Sequence, residues 1–319
     1  MTLFSEYAII WMKILILEEE MKDLYYKPSG KVSAKFFLFY ILFMAIGITI
    51  LSNAYVYLIH YIPLIYLNFL VAILCGGALG YLVSLTSKFG NARNPKVVIV
   101  FTIIAVCILK YAQWAAHIPL VMSEVFGFYM PFSERLAYSF ELFFQPLVIA
   151  DYVQAINEFG TWSLSDSGAV TGIFLSIIWV AEFIIIMAGA LFICTSQSRR
   201  PFSEDSNSWY VKADRVLQAD IPADPVSMKD NIEQGNFSDL IELVKGGKTN
   251  NDAYVDVSFL NPPQANSPEP YYITVMCNTE DNGKSVKTEI VKHMQITKEN
   301  ANEIISNAVS YVQKGHRNK

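Results

Sequence analysis

The sequence predicts a polytopic α-helical membrane protein with four transmembrane helices and a small C-terminal cytoplasmic α+β domain. The chain has 319 residues, of which 53% are hydrophobic and 14% aromatic, and its apolar residues concentrate between positions 36 and 194. Four apolar segments of about twenty residues lie there, the length that a helix needs to cross roughly 30 Å of hydrocarbon. After Arg200 the long apolar runs end and short alternating patterns begin, as in half-buried strands.

Four spans form the predicted transmembrane domain, a four-helix bundle. Their approximate bounds are 36–59, 66–87, 97–119 and 168–194. In the second span, Gly76 and Gly80 form a small-xxx-small pattern that lets another helix approach closely, so helix packing is their expected role. The third and fourth spans each contain one charged residue, Lys110 and Glu182.

The basic residues near the span ends predict how the chain is threaded. Lysine and arginine are retained on the cytoplasmic side of a membrane. Those on one side of the bundle are Lys27, Lys31, Lys35, Lys88, Arg93, Lys96, Arg199 and Arg200. The loop after the first span has none, and the loop 120–167 has only Arg135. We therefore expect both termini in the cytoplasm and the protein in the plasma membrane, which is the inner membrane in a bacterium.

Residues 1–35 are predicted to be a cytoplasmic N-terminal segment. The stretch AIIWMKILILEEE is too short and too charged for a span. It also lacks the basic start and the small-residue cleavage site of a signal peptide. One interpretation is an interfacial helix, and the other is that Met21 is the true start and residues 1–20 are an extension.

The predicted outer loop, 120–167, is too rich in aromatic residues for a free solvated loop. Ser133 could cap a first short helix that ends near Pro146, and Pro146 could begin a second helix that ends at Gly160. The apolar positions of the first helix are Phe132, Leu136, Phe140, Phe143 and Phe144. This helix would lie on the outer membrane surface or cap the bundle. Packing is its expected role, and a ligand-binding lid is the alternative.

Residues 195–319 are predicted to be a polar linker followed by a cytoplasmic α+β domain. A short helix, NFSDLIELVKGG, precedes three alternating segments, AYVDVSFL, YYITVMCNTE and VKTEIVKHMQIT, which are typical of strands. Asn282-Gly283 joins the last two and is a strong hairpin signal. An amphipathic helix begins at Thr297 and is predicted to continue to Val312. We expect a three-stranded sheet with helices on one face.

Composition and motifs disfavour two classes of function. Residues 201–319 contain 17 acidic and 12 basic residues, whereas nucleic-acid binding requires a basic face, so no nucleic acid is expected as a partner. The sequence contains no GxGxxG, Walker-type, GxSxG, HExxH or paired-cysteine metal motif. We therefore expect no cofactor, and the sequence leans away from an enzyme. Cys75, Cys107 and Cys194 fall within spans and Cys277 in the tail, so no outer disulfide is expected.

Two histidines raise the question of a metal site. His60 and His117 both fall near the predicted outer interface, where an outer-loop carboxylate could join them as a third ligand. Amphipathic side chains at a membrane boundary need no such role, however. We therefore expect no metal.

The two charged span residues are predicted to lie at the same depth. Lys110 is about 20 Å and Glu182 about 18 Å from the cytoplasmic ends of their helices. An isolated charge in a bilayer costs roughly 3 kcal/mol on insertion scales, so we expect the two to pair. Gln113, Trp114 and His117 would continue this intramembrane polar seam outward. Three interpretations are open: a structural pair, a functional seam for a proton, ion or small ligand, and no pair, with Lys110 snorkelling to the interface.

The sequence thus indicates an integral plasma-membrane protein in contact with the lipid bilayer. The first hypothesis is a non-enzymatic, membrane-anchored interaction or signalling component whose residues 201–319 bind a cytoplasmic protein. The alternative is a small transporter or channel subunit that uses the polar seam. Four helices form a thin pore alone, so this alternative implies a homo-oligomer. A membrane enzyme that acts on lipid through Glu134, Glu141 or Asp151 ranks last, because no motif supports it.

Overall fold

The computed structural model describes residues 23–62, 65–125, 127, 130–160, 169–264, 267–281, 284–308 and 311–313. The predicted interfacial helix in residues 1–20 and the turn at Asn282-Gly283 lie outside these residues. The chain divides into two compact units. The first unit is Ser29–Arg199, and the second joins the segment up to Pro28 to Arg200–Lys319.

Four long helices form the first unit, as predicted: each is long and apolar enough to cross a membrane. They are α1 (Ala34–Tyr61), α2 (Ile65–Phe89), α3 (Pro95–Val125) and α6 (Gly172–Cys194). Two short helices lie between α3 and α6 in sequence, α4 (Phe132–Phe143) and α5 (Pro146–Phe159). We call the end of the unit at which α1 ends and α6 begins the distal end.

Local sequence explains where α3 begins and why it is long. The side chain of Asn94 accepts hydrogen bonds from the backbone N–H groups of Lys96 and Val97, which caps the helix. Pro95 occupies the first turn, where its missing N–H costs nothing. The helix continues past Pro119, the predicted end of the span, to Val125.

Helices α4 and α5 form a hairpin that runs along the bundle from its distal end. At its start, Phe132 packs on Tyr57 near the end of α1. At its tip, the Tyr111 hydroxyl donates to the carbonyl of Phe143 over 2.9 Å. Tyr111 lies about 21 Å along α3 from the distal end of that helix. The hairpin therefore extends along α3 as far as Tyr111.

The apolar faces of the hairpin explain its position. Leu142 and Ile149 are buried against Ala115 and Ile118 of α3, so each short helix packs on the long helix. Three residues of the predicted apolar stripe are exposed instead: Phe132 (53%), Phe140 (69%) and Phe144 (66%). Ser133 lies inside the first turn of α4 and does not cap it. The buried side of α4 therefore faces another helix.

The backbone at the hairpin tip is almost fully hydrogen-bonded. The N–H of Phe144 donates to Glu141 and that of Gln145 to Leu142, over 3.2 and 2.8 Å. Pro146 has no N–H group, and the Tyr111 hydroxyl donates a hydrogen bond to the Phe143 carbonyl. A turn between helices can lie in apolar surroundings only when its polar groups are satisfied in this way.

The second unit contains an antiparallel five-stranded sheet in the order β6-β5-β4-β3-β7. The strands are β3 (Val211–Asp220), β4 (Ala253–Asn261), β5 (Tyr271–Asp281), β6 (Lys284–Ile296) and β7 (Tyr311–Gln313). A separate hairpin, β1 (Phe202–Ser203) with β2 (Ser208–Trp209), lies in the predicted linker. The helices are α7 (Pro225–Glu233), α8 (Ser238–Gly246) and α9 (Lys298–Asn307).

The predicted three-stranded sheet therefore omitted two strands. The last helix, α9, ends at Asn307 instead of continuing to Val312. Val312 instead pairs with Val216 of β3. Apolar positions in so short a segment fit either a helix or a strand. Pairing with the edge of β3 makes this segment a strand.

One face of the sheet packs against all three helices. The residues of this core that are almost fully buried include Leu217, Val255, Val257, Phe259, Ile273, Val275, Leu240, Val244 and Ile304. The opposite face carries Gln218, Asp256 and Asn278, because successive residues of a strand point to opposite sides. The sheet is thus covered by helices on one side, as predicted.

The segment that precedes α1 in sequence is part of the second unit. Tyr25 forms an antiparallel bridge with Met294 at the edge of β6. Two backbone hydrogen bonds flank this bridge, from Tyr26 N–H to His293 O (2.9 Å) and from Gln295 N–H to Leu24 O (2.7 Å). The Tyr25 hydroxyl also donates to Glu233 of α7 over 2.5 Å. Residues 24–26 therefore complete the sheet edge, which the sequence did not indicate.

His293 lies at an irregular position of β6. Its φ is 52°, a left-handed conformation that is uncommon outside glycine and in which asparagine, aspartate and histidine are enriched. Its N–H donates to the Thr274 hydroxyl over 3.1 Å. Burial, with smaller contributions from the charges of Lys292 and Arg200, lowers the pKa of His293 to about 4. The folded unit therefore holds this imidazole neutral.

We expect the second unit to lose stability as the pH falls from about 6.5 to about 4. In this window His293 takes up a proton in the unfolded chain but not in the folded one. After allowance for solvent screening, the loss is about 1 to 2 kcal/mol. It is measured as the urea midpoint from Trp209 fluorescence in a chain whose other tryptophans are phenylalanine. His293→Asn, which tolerates the positive φ, should remove this part of the pH dependence, and an unchanged profile would contradict the assignment.

Candidate functional site

A half-buried ion pair lies between α3 and α6. Lys110 Nζ is 2.5 Å from Glu182 Oε2, and the two side chains are only 18% and 17% exposed. The other carboxylate oxygen, Oε1, accepts a hydrogen bond from the Tyr55 hydroxyl of α1. Both oxygens of Glu182 are thus occupied, and three helices meet at this carboxylate.

Aromatic rings surround the ammonium group. Lys110 Nζ lies 5.9 Å from the centre of the Tyr55 ring and 5.7 Å from that of Trp114, distances at which a cation is attracted to the ring face. Trp114 in turn packs edge-to-face on Trp179 of α6, with ring centres 4.9 Å apart. These rings cover part of the pair, and the lower local dielectric strengthens its electrostatic attraction.

The other polar residues of α3 contact different helices. Gln113 is buried, and its amide nitrogen lies 4.0 Å from Cys75 Sγ of α2. His117 lies two turns from Lys110 toward the distal end, and its Nδ1 is 2.8 Å from the Tyr152 hydroxyl of α5. The polar seam therefore continues as far as the hairpin, while Gln113 faces α2.

The two histidines lie near one another. The ring centres of His60 and His117 are 6.4 Å apart. Within the part of the chain that the structure describes, no group of three His, Cys, Asp or Glu side chains is placed to hold a metal ion. The Tyr152 hydrogen bond to His117 instead fixes that ring against the hairpin.

The outer-loop carboxylates lie on the short helices. Glu134 and Glu141 are exposed on α4, and Asp151 is exposed on α5. Two turns of helix separate the first two, about 10 Å along the axis. These three residues are separate from the polar seam.

Glycines set the position of α6 beside α2. A Cβ atom on Gly76 would lie 2.3 Å from the carbonyl oxygen of Ile186, and one on Gly80 would lie 2.3 Å from that of Ala190. The two helices thus touch backbone to backbone, as small residues permit. Glu182 is one turn from Ile186 on the same helix, so this contact holds its carboxylate at the level of Lys110.

Sequence inspection missed Tyr55 as a member of this site. The first span carries no charged residue, whereas the third and fourth spans each carry one, and only those charges indicated a polar contact. A signal was present, because Ser52 and Tyr55 are one helical turn apart, and both are buried. Such a polar stripe in an otherwise apolar span indicates a face turned toward other helices.

Comparison with known proteins yields no match to a family model, a curated protein or a solved structure. The interpretation of the site therefore depends on its own geometry.

Gly80→Ala should destabilise the first unit by about 1 to 3 kcal/mol, because the new methyl group would overlap the backbone of Ala190. The matched control is Gly77→Ala, whose methyl group would meet only the end of the Ile193 side chain at 3.5 Å. That change should be neutral or slightly stabilising. Thermal unfolding in detergent measures both, and equal effects would refute backbone contact between α2 and α6.

Lys110→Met and Glu182→Gln should each destabilise the chain by about 1 to 3 kcal/mol, because each leaves one half-buried charge without its partner. The double variant should recover most of the loss. Unfolding of the four proteins in nanodiscs measures the coupling energy. A surface pair, Lys292 and Glu289, serves as the control, and its coupling should be within about 1 kcal/mol of zero. Additive losses at Lys110 and Glu182 would show that the pair does not stabilise the fold.

Proposed function

We propose that the chain is an integral plasma-membrane protein with four spanning helices and cytoplasmic termini. In a bacterium this is the inner membrane. We further propose that it acts without enzymatic chemistry, as a membrane-anchored interaction or signalling component. Its C-terminal unit binds a cytoplasmic protein. The four apolar helices support the membrane location, and the distribution of basic residues supports the orientation.

The observation that carries the binding proposal is the polar array on the helix-free face of the sheet. Asp256 lies at its centre and accepts hydrogen bonds from Gln218 (2.9 Å) and Asn278 (3.0 Å). The two amides hold the carboxylate in one orientation on β4. A second carboxylate, that of Glu289, belongs to the same face, because Glu289 lies opposite Met276 in the sheet register. Such a rigid array is organised before a partner arrives, which lowers the entropy cost of binding.

Charge indicates the chemistry of the partner. The face holds the carboxylate of Asp256 and that of Glu289, which pairs with Lys292. Residues 201–319 as a whole have an excess of acidic residues. We propose a basic protein segment as the occupant, since complementary potentials guide association and orientation. The ion pair between Lys110 and Glu182 would then act as a structural device that fixes how α3 and α6 meet.

The test is site-specific photocrosslinking in cells that produce the protein. Crosslinkers at Tyr254 and Met276, on the helix-free face, should give an adduct of one defined mass that weakens with Asp256→Asn. A crosslinker at Glu242, exposed on α8, is the control on the opposite side and should give none. An adduct from Glu242 alone, no adduct, or an adduct with only a second copy of the chain would overturn the partner proposal.

A second candidate is a small transporter or channel subunit. It is favoured by the continuation of polar groups from Glu182 through Lys110 and Trp114 to His117 and Tyr152. As an oligomer, such a protein should conduct protons or ions in liposomes, and the Lys110→Met, Glu182→Gln double variant should abolish that flux. If the pair is structural, none of the proteins conducts.

A further inference from the structure

A groove opens on the side of the first unit where α5 passes α3 and α6. Its volume is about 610 Å³. Tyr111 of α3, Pro146 and Ile149 of α5, and Trp179 of α6 line one end. Asn157 and Glu158, near the end of α5, line the other. The groove is therefore apolar at the hairpin tip and polar at the distal end of the unit.

The dimensions of the groove match one leaflet of a bilayer. Its lining extends along α5 from Pro146 to Glu158, a rise of about 18 Å. Half of a hydrocarbon core is about 15 Å. An extended acyl chain that entered from the distal end would reach the hairpin tip beside Tyr111.

The groove is continuous with an apolar outer surface. On α6, Ile173, Ile177 and Val180 are 82%, 58% and 57% exposed. On α5, Leu147 is 79% and Val148 44% exposed. In the membrane location proposed above, these side chains face lipid, so the groove opens sideways to acyl chains rather than to water.

The polar end presents a carboxylate. Asn157 uses its amide to donate to the Gly172 carbonyl (3.0 Å) and to the Ser176 hydroxyl (2.9 Å). Gln154 donates to Glu158 Oε1 over 3.1 Å. Glu158 is exposed, and its other oxygen can accept from a ligand. The lining residues include this one carboxylate and no lysine or arginine.

We infer that the groove binds one acyl chain of a phospholipid from the adjacent leaflet, with a primary-amine headgroup at Glu158. The apolar walls of Ile149 and Trp179 take the chain, and the carboxylate takes the ammonium by a charge-assisted hydrogen bond. A choline headgroup has no N–H to donate, and an anionic headgroup is repelled. This inference depends on the proposed membrane location and not on a partner of the C-terminal unit.

The preference at Glu158 should be modest, because the carboxylate is exposed. Pairs of this kind contribute up to about 1 kcal/mol. That energy corresponds to a roughly two- to fivefold preference for an ethanolamine over a choline or glycerol headgroup with the same acyl chains. The acyl contact, in contrast, should be common to all three lipids.

The test measures retained lipid by native mass spectrometry. The purified full chain is given equal amounts of phosphatidylethanolamine, phosphatidylcholine and phosphatidylglycerol with identical acyl chains. Ala150→Phe places a large side chain in the groove, and Ala150→Leu places a smaller one there. Val148→Phe is the matched control on the exposed side of the same helix. Glu158→Gln removes the charge, and Asp151→Asn, an exposed carboxylate outside the lining, is its control. A flotation assay with vesicles first establishes membrane insertion for each protein.

We expect wild type, Val148→Phe and Asp151→Asn to retain one lipid with a preference for the ethanolamine headgroup. The Ala150 variants should lose at least half of the retained lipid, and Glu158→Gln should retain lipid without the preference. Equal retention by the Ala150 variants and Val148→Phe would overturn the acyl site, and an unchanged preference in Glu158→Gln would overturn the headgroup assignment. Failure to float would instead overturn the proposed membrane location.

Discussion

The carboxylate of Glu182 is the point on which the first unit depends. It accepts from Lys110 of α3 and from Tyr55 of α1, so one side chain ties α6 to two other helices. A charge in apolar surroundings is tolerated only when its partners are well placed, and here each carboxylate oxygen of Glu182 accepts one hydrogen bond. The pair therefore demands one relative position of the three helices, whereas apolar contacts alone would accept several.

The remaining contacts of the unit make that position attainable. Gly76 and Gly80 let α6 approach α2 until the backbones touch, which sets the height of Glu182. Trp114 and Trp179 then close over the pair from the side of the hairpin. The hairpin itself can lie deep along α3 because Tyr111 satisfies the carbonyl at its tip. The position of the hairpin also creates the groove, because α5 packs on α3 and leaves a gap between itself and α6.

The second unit contains polypeptide that precedes the first apolar helix as well as polypeptide that follows the last one. The bridge between Tyr25 and Met294 places the residues before α1 at the sheet edge, while the polypeptide after α6 supplies the rest. The residues before α1 and the polypeptide after Arg199 thus belong to one compact unit.

Sequence by itself determined the elements whose signal is local. The four apolar helices follow from length and composition, and the strands β4, β5 and β6 follow from alternation. The number of residues between each charge and the end of its helix also predicted that Lys110 and Glu182 lie at the same depth, because the helical rise per residue is constant. Tertiary structure decided the contacts between residues that are distant in the chain. Tyr55 joins the ion pair, Val312 pairs with Val216 as a strand, and residues 24–26 complete the sheet edge. The α4–α5 hairpin lies along α3 for the same reason: an amphipathic segment specifies that one face is buried, and only the partner that covers the face determines where.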